Sequence, residues 1–452
     1  MYLIEFFILT HKMKILLIYP AVEYHKNKYF SHIFDNFFYR FLETNITFQV
    51  LAAVTPKEHS VEVINDRLEK IDFDRKVDLV GLTTFTMTVQ RAYEIADEFR
   101  RREVKVVLGG WHVSALPDEA LQHADSIIIG EAEKIWPQLL NDFEKNKLKR
   151  IYQQEEIVNL DSIPFLTKPE RTKYKISPFI QSIEATRGCP NCCNFCSISG
   201  SKFGRVYRTK SINKIIQEIQ NIPEKFITFC DASLTINPSY SKQLFHEMKD
   251  LNKKFLCEGN VNILSKDDDF LNLAAEAGCI FWCVGLESIS QETLTDIGKR
   301  TNKVENYASA IKKIHNYGMA VKGSFIFGFD TDGPDVFEKT LEVINHMEFD
   351  TADFNILTPF PGTPVFDQFE KEGRILTKDW SKYDTENVVF KPKQMSPEEL
   401  FLNWKAALKD YYATLKILKM GTRTIKIGIF PFVVSFLNNR YYNAFSKSFN
   451  KT

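Results

Sequence analysis

Four of the chain's eight cysteines stand within eight positions, in the stretch RGCPNCCNFCSI at residues 187–198. Thiolates at this density hold metal, and two spacings are available. Cys189/Cys192 and Cys193/Cys196 read as abutting C-x-x-C pairs, which suggests zinc. Cys189, Cys193 and Cys196 read as C-x-x-x-C-x-x-C, which suggests an iron–sulfur cluster. Zinc takes four tetrahedral ligands, usually from knuckles well separated in sequence. Here Cys192 and Cys193 are neighbours whose side chains diverge, so closing all four thiols on one ion strains the loop. The other cysteines (Cys230, Cys257, Cys279, Cys283) stand singly and read as small hydrophobes in or beside strands. A 4Fe–4S cluster normally takes four thiolates; a loop supplying three leaves one iron open to a small molecule. The three-cysteine reading fits better, with zinc the poorer alternative.

The elements around the loop are those of a reactive barrel mouth. "FIQSIEAT", "FITFCD", "FLCEGNV", "IFWCVGLES", "VKGSFIFGF" and "DFNILTPF" read as strands separated by helical stretches. This predicts six strand–helix units over residues 178–360, fewer than the eight of a closed barrel. Polar residues or glycine sit at the strand ends: Arg187, Asp231, Glu258, Glu287, Ser288, Gly328 and Thr358. In barrels that face carries the chemistry.

Residues 13–147 form an earlier alternating series, with "KILLIYP", "VEVIN", "VDLVGLTTFT", "VKVVLGG" and "SIIIG" as strands. Apolar strands alternating with helices predict a parallel sheet covered on both faces. Ligands bind such sheets beyond the strands' carboxyl ends, which places Thr84, Gly109, Gly110, His112, Gly130 and Glu131 at a candidate site. There is no G-x-G-x-x-G after a strand, which disfavours a dinucleotide. His112 reads equally well as an ordinary hydrogen-bonded loop histidine.

Residues 148–177, rich in Pro and charge, read as a linker, and 361–452 as mainly helical. Ser396, Pro397 and Glu399 open a helix with a capping box. The apolar run 427–437 contains Pro431, is too short to span a bilayer, and reads as a packing segment. The N-terminal "MYLIEFFILTHK" lacks a basic flank and cleavage site, and Met13 is expected to be the initiator.

Lys plus Arg equals Asp plus Glu, 58 each, which argues against nucleic acid as a partner. Clustered thiols in an otherwise cysteine-poor chain point to a reducing compartment, the cytoplasm. No transmembrane segment is expected.

The segment "EATRGCPNCCNFCSI", after the first strand of a six-unit barrel, resembles the radical S-adenosylmethionine superfamily, and in particular its cobalamin-binding branch. The resemblance extends from about Met13 to about Tyr412. It includes "VVLGGWHVSALPDEAL", "IIIGEAE", "VGLES", "GSFIFGF" and "LTPFPGTPVFDQFEKEGRI". It implies a Rossmann-like cobalamin domain, a partial (β/α)6 barrel and a helical tail. It assigns Cys189, Cys193 and Cys196 to the cluster and leaves Cys192 as a spacer. Phe195 and Gly328 would lie by the adenine, Glu287 and Ser288 by the ribose.

Two departures stand out. The Gly-Gly-Glu motif is replaced by Cys230-Asp231-Ala232, making Asp231 the partner of the methionine ammonium. The D-x-H-x-x-G signature that supplies histidine to cobalt is absent.

The implied activity is reductive cleavage of S-adenosylmethionine to a 5′-deoxyadenosyl radical, with cobalamin-dependent methylation of an unactivated carbon. A radical cyclase or rearrangement enzyme is the alternative; a tRNA methylthiotransferase or a non-enzymatic metal protein ranks lower. The implied partners are a small-molecule or lipid-like substrate and a low-potential electron donor such as flavodoxin or ferredoxin.

Overall fold

The computed structural model describes residues 12–22, 46–166 and 180–448. The segment before Lys12, and with it most of the apolar N-terminal stretch, lies outside them, as do residues 167–177 of the expected linker and 178–179 at the start of the expected barrel. The chain divides into two compact units, the first running through residue 176 apart from 24–44, the second holding the rest.

The first unit is a six-stranded parallel sheet. Its strands are β1 (Lys14–Tyr19), β2 (Ser60–Asn65), β3 (Leu79–Thr84), β4 (Lys105–Gly110), β5 (Ser126–Ile129) and β6 (Ile151–Gln153). The order β2-β1-β3-β4-β5-β6 puts a topological switch point between β1 and β3. One face packs Leu17, Leu79, Val107 and Ile128 against Phe48 and Leu51 of α1 (Ile46–Val54) and Trp136 and Leu139 of α3 (Ile135–Glu144). Trp136 also donates its indole N–H to Thr55 Oγ1, 2.9 Å away. Strand neighbours of opposite parity, such as Leu16, Val80 and Leu108, are also fully buried, and α2 (Val89–Arg101) packs on β3 and β4. Both faces being covered, every strand residue can be apolar.

Strand β6 falls in what reads as linker. Its three residues alternate exposed, buried, exposed, so the apolar run that marks the other strands is missing. After it, Val158, Leu160 and Ile163 pack around Val50 of α1.

The second unit contains β7 (Ile180–Ile183), a two-residue ladder β8 (Thr186–Arg187) with β9 (Arg208–Thr209), then β10 (Phe226–Phe229), β11 (Lys254–Gly259), β12 (Cys279–Glu287), β13 (Ala320–Phe327) and β14 (Thr351–Ile356). Six of these make one parallel sheet in the order β7-β10-β11-β12-β13-β14. The expected six strand–helix units are there, with helices α4 (Ile212–Asn221), α5 (Pro238–Met248), α6 (Asp268–Glu276), α7 (Tyr307–Asn316) and α8 (Val336–Met347) between strands. Outward-facing Ile227, Phe255, Trp282, Val284, Phe325 and Phe354 build the main core with those helices. The alternate positions are less buried and include Glu258, Cys283, Lys322 and Asp353, so β13 and β14 alternate buried and accessible along their length.

The tail packs on the same core. Helix α9 (Pro397–Tyr411) opens with the expected capping box, Ser396 and Glu399 each accepting the other's backbone N–H. Its Trp404 donates to Phe354 O at 2.9 Å. Helices α10 (Thr414–Ile427) and α11 (Ile429–Ser448) follow. Phe430 stacks on Phe226 at the start of β10, and Asn438 and Asn439 bond Thr351 and Asp350 at the start of β14. Within the run 427–437, Phe430 and Phe436 pack against protein while Ile429 and Val433 stay exposed. No helix among the described residues is long and apolar enough to cross a membrane.

Candidate active site

The cysteine loop, residues 188–207, is pinned at its base by the antiparallel β8–β9 pair. Gly188 sits at φ +87° with its Cα against Val206 O, where a Cβ would come within 2.2 Å; only glycine closes the loop there. Cys189 N–H donates to Gly204 O at 2.8 Å, and Asn194 bonds both Ile297 and Val365 through its backbone.

The four loop thiols are placed differently. Cys193 is buried and Cys189 and Cys196 are part-buried, each of the three near enough to the others for its ionisation to be felt. Cys192 is exposed and turned to Arg205, whose guanidinium lies 2.7 Å from its sulfur. No three His, Cys, Asp or Glu side chains among the described residues converge tightly enough for a single metal ion. A multi-iron cluster asks less, since each thiolate binds a different iron. Burial pushes Cys193 up to about 11, with Lys299 pulling the other way, and raises Cys196 as well. A bound metal would overcome this by taking the proton's place.

Lys299 went unrecognised in the sequence. It follows Gly298, which takes φ +75° with its Cα against Cys192 O, and this turn delivers the lysine to the thiols. Its ammonium lies 2.8 Å from Glu287 Oε1, both side chains mostly buried. Burial would lower the lysine, but Glu287 and then Cys193 more than offset it, so it stays charged. A glycine–lysine pair after a short helix was the only sequence signal. Glu287 itself has φ +64°, left-handed for a non-glycine residue, just past an irregularity in the β12–β13 register. Backbone strain of this kind gathers at functional sites.

Other expected residues divide between the mouth and its supports. Phe195 meets Phe329, next to Gly328, with ring centroids 6.0 Å apart. Gly328 takes φ +102°, and its N–H and that of Phe329 both donate to Asp332. Ser288 is buried, and its carbonyl accepts from Tyr307; Thr358 caps Ile356 O. Asp231 is enclosed, accepting from the backbone N–H groups of Ala185 and Thr186, and burial lifts it to about 7. It ties β10 to the start of the cysteine loop, and both oxygens are already engaged.

Two of the lone cysteines depart from their expected role. Cys257 and Cys279 are buried, their sulfurs 3.9 Å apart. Cys230 and Cys283 face the barrel lumen instead, because their strand positions have the inward parity. Glu258, Cys283 and Lys322 form one register row across β11, β12 and β13. Lys322 pairs with Asp353 at 2.7 Å. Glu258 presents area to the lumen, yet the concave wall still desolvates it and lifts it to about 7.

At the carboxyl edge of the first sheet the structure gathers all six expected residues, but turns several inward. Thr84 is buried and donates to Gly109 O at 3.1 Å. Gly110, at φ +105°, lies so close to Thr84 that a Cβ would strike its backbone. His112 is buried with Nε2 3.1 Å from Glu119, which also accepts from Tyr93. Gly130 N–H donates to Ser114, and Glu131 and Gln154 bond each other. Phe85 and Trp111 are the large side chains left in solvent, 46% and 41% exposed. An apolar edge with bare glycine backbone suits a broad corrin face, and His112 is not presented to it.

Comparison with known proteins agrees with both halves. The Radical SAM superfamily profile matches residues 183–344, and the B12 binding domain profile matches 41–140. The chain is 32% identical over 395 residues to the bacteriochlorophyllide d C-8(2)-methyltransferase of Chlorobaculum tepidum, covering 83% of this chain and 86% of that protein. It is 31% identical to the C-12(1)-methyltransferase of the same organism, covering 80% of each. The radical S-adenosylmethionine methyltransferase TsrM from Kitasatospora setae, solved with cobalamin and a 4Fe–4S cluster, superposes with a TM-score of 0.64 at 16% identity. That match covers 97% of this chain and 99% of TsrM, and it speaks for the fold. With a three-thiol loop at the mouth of a six-stranded half-barrel and a doubly covered parallel sheet before it, the chain belongs to the radical S-adenosylmethionine enzymes that carry a B12-binding domain.

Proposed function

We propose that this enzyme methylates an unactivated carbon of a polycyclic small molecule of about tetrapyrrole size. The observation that carries the reading is the separation of Cys192 from the other three loop thiols, in a chain that also has a B12-binding domain. Its relatives at 32% and 31% identity are methyltransferases of bacteriochlorophyllide d.

When bound, the cluster, S-adenosylmethionine and cobalamin would supply one-electron cleavage and methyl transfer. The chain's residues supply position. Cys189, Cys193 and Cys196 would hold three irons, and Lys299 offsets the negative charge of the thiolates. Glu287 and Ser288 would take the ribose, and the tilted rings of Phe195 and Phe329 would offer apolar contact to the adenine. Glu258, Lys322 and Asp353 line the lumen and hold polar groups away from bulk water. Phe85 and Trp111 would cover the corrin, with no histidine offered to cobalt. The electron must come from a low-potential donor such as flavodoxin or ferredoxin, and the cytoplasm would keep the thiols reduced.

The test is anaerobic incubation of the reconstituted, cobalamin-loaded enzyme with methyl-labelled S-adenosylmethionine and host extract. Mass spectrometry should find label in a polycyclic product, together with 5′-deoxyadenosine and S-adenosylhomocysteine. Release of 5′-deoxyadenosine with no labelled product would point instead to a cyclase or rearrangement on the same scaffold.

A further inference from the structure

Helix α10 carries an apolar face that is left open among the described residues. Leu415, Leu418, Thr422 and Ile425 follow one another at spacings of three, four and three, so they share one side of the helix. Leu415 is 81% exposed, Leu418 55% and Ile425 51%, and Ile429 just beyond is 77% exposed. The opposite side is the packed one, where Ile417, Met420 and Thr424 are buried. Single exposed leucines are ordinary on protein surfaces; an aligned row of them marks a contact surface.

Charge identifies the occupant. The whole chain is neutral, yet residues 411–452 contain seven lysines or arginines and not one Asp or Glu. Lys416 and Arg423 are engaged with Asp410 and with Asp350. Lys419 and Lys426 are exposed, border the apolar row, and make no ion pair among the described residues. A symmetric pairing with a second copy would bring Lys419 and Lys426 towards their own counterparts, the nearby carboxylates of Asp410 and Glu348 being already paired with Lys416 and Arg423. A protein partner would be expected to find aromatic or arginine anchors, and this face offers aliphatic side chains, Thr422 and lysine. An aliphatic row bordered by lysines, whose stems reach along apolar surface to charged heads, matches helices that lie in the plane of a bilayer.

We infer that the outer face of α10 docks this enzyme on the surface of an anionic membrane, with the leucines and isoleucine in the headgroup–acyl boundary and Lys419 and Lys426 on lipid phosphates.

The test uses full-length, cluster-loaded protein sedimented with vesicles of phosphatidylcholine alone, or with phosphatidylglycerol added. The protein should pellet with the anionic vesicles at low salt, bind neutral ones far less, and release as salt screens the charges. Lys419→Glu with Lys426→Glu should lower partitioning roughly tenfold or more, each lysine near an anionic surface being worth about fivefold. Leu415→Ser with Leu418→Ser should lower it by a similar factor at low salt. Because these side chains face solvent, both variants should keep wild-type circular dichroism and iron content, which separates lost docking from lost folding. Equal pelleting on neutral and anionic vesicles, or no difference between wild type and variants, would overturn the proposal. So would a lipid-free dimer, seen by light scattering, that the leucine variant abolishes, since the face would then belong to a second copy.

Discussion

At the carboxyl edge of the first sheet, Thr84 and His112 turn their polar atoms inward while Phe85 and Trp111 stand in solvent. At the corresponding end of the half-barrel the arrangement is reversed. Apolar side chains point outward under the helices, and Glu258, Cys283, Lys322 and Glu287 line the concave side. Both ends belong to parallel sheets, so sheet type does not account for the contrast. Curvature does. The first sheet has helices on both faces and must be apolar on both; the half-barrel has helices on one face only, and its other face encloses a space that can stay polar. One edge can therefore hold a flat ligand by area, while the other holds charged groups by directed bonds.

The sharpest test of this contrast lies in the cysteine loop. Serine at Cys189, Cys193 or Cys196 should abolish iron binding and S-adenosylmethionine cleavage after anaerobic reconstitution, as read by iron analysis and visible absorbance. Cys192→Ser should retain both, because that thiol is exposed and turned to Arg205. Equal loss at all four positions would mean that the loop closes on four ligands.

A smaller effect is expected where charge alone holds the mouth together. Lys299→Met leaves Glu287 mostly buried without its cation, an arrangement that costs about 3–5 kcal/mol. Denaturant unfolding should show that loss, and adding Glu287→Gln should recover much of it. If the single and double variants unfold alike, the pair is not coupled and the polar wall is less integrated than its geometry suggests.

The smallest effect belongs to the edge that works by area. Trp111→Ala should weaken retention of hydroxocobalamin by about tenfold, the order expected for removing part of an aromatic contact. His112→Ala should leave the spectrum of the bound corrin unchanged and reduce stability by about 1–3 kcal/mol, through the lost bond to Glu119. A spectral change on His112→Ala would place the histidine on cobalt and invert this account of the edge.

Much of this was legible along the chain because it depends on local spacing. Runs of apolar residues ending in turns located five of the first sheet's strands and all six of the half-barrel's. Ser396 and Glu399 announced their capping box, and eight residues held the whole thiol set. Strand β6 was not legible, since its side chains alternate and only pairing with β5 makes it a strand.

What tertiary structure decided was direction. Cys230 and Cys257 look alike in sequence, yet parity on adjacent strands puts one in the lumen and the other in the core. Asp231 stands at a strand end like Glu258, but two backbone N–H groups claim its oxygens. Lys299 comes within reach of Cys193 only because Gly298 turns left-handed against the loop, across more than a hundred residues of sequence. Spacing within one element is set by the chain itself; which face a side chain presents, and to what distant partner, is settled only when the sheets pair and curve.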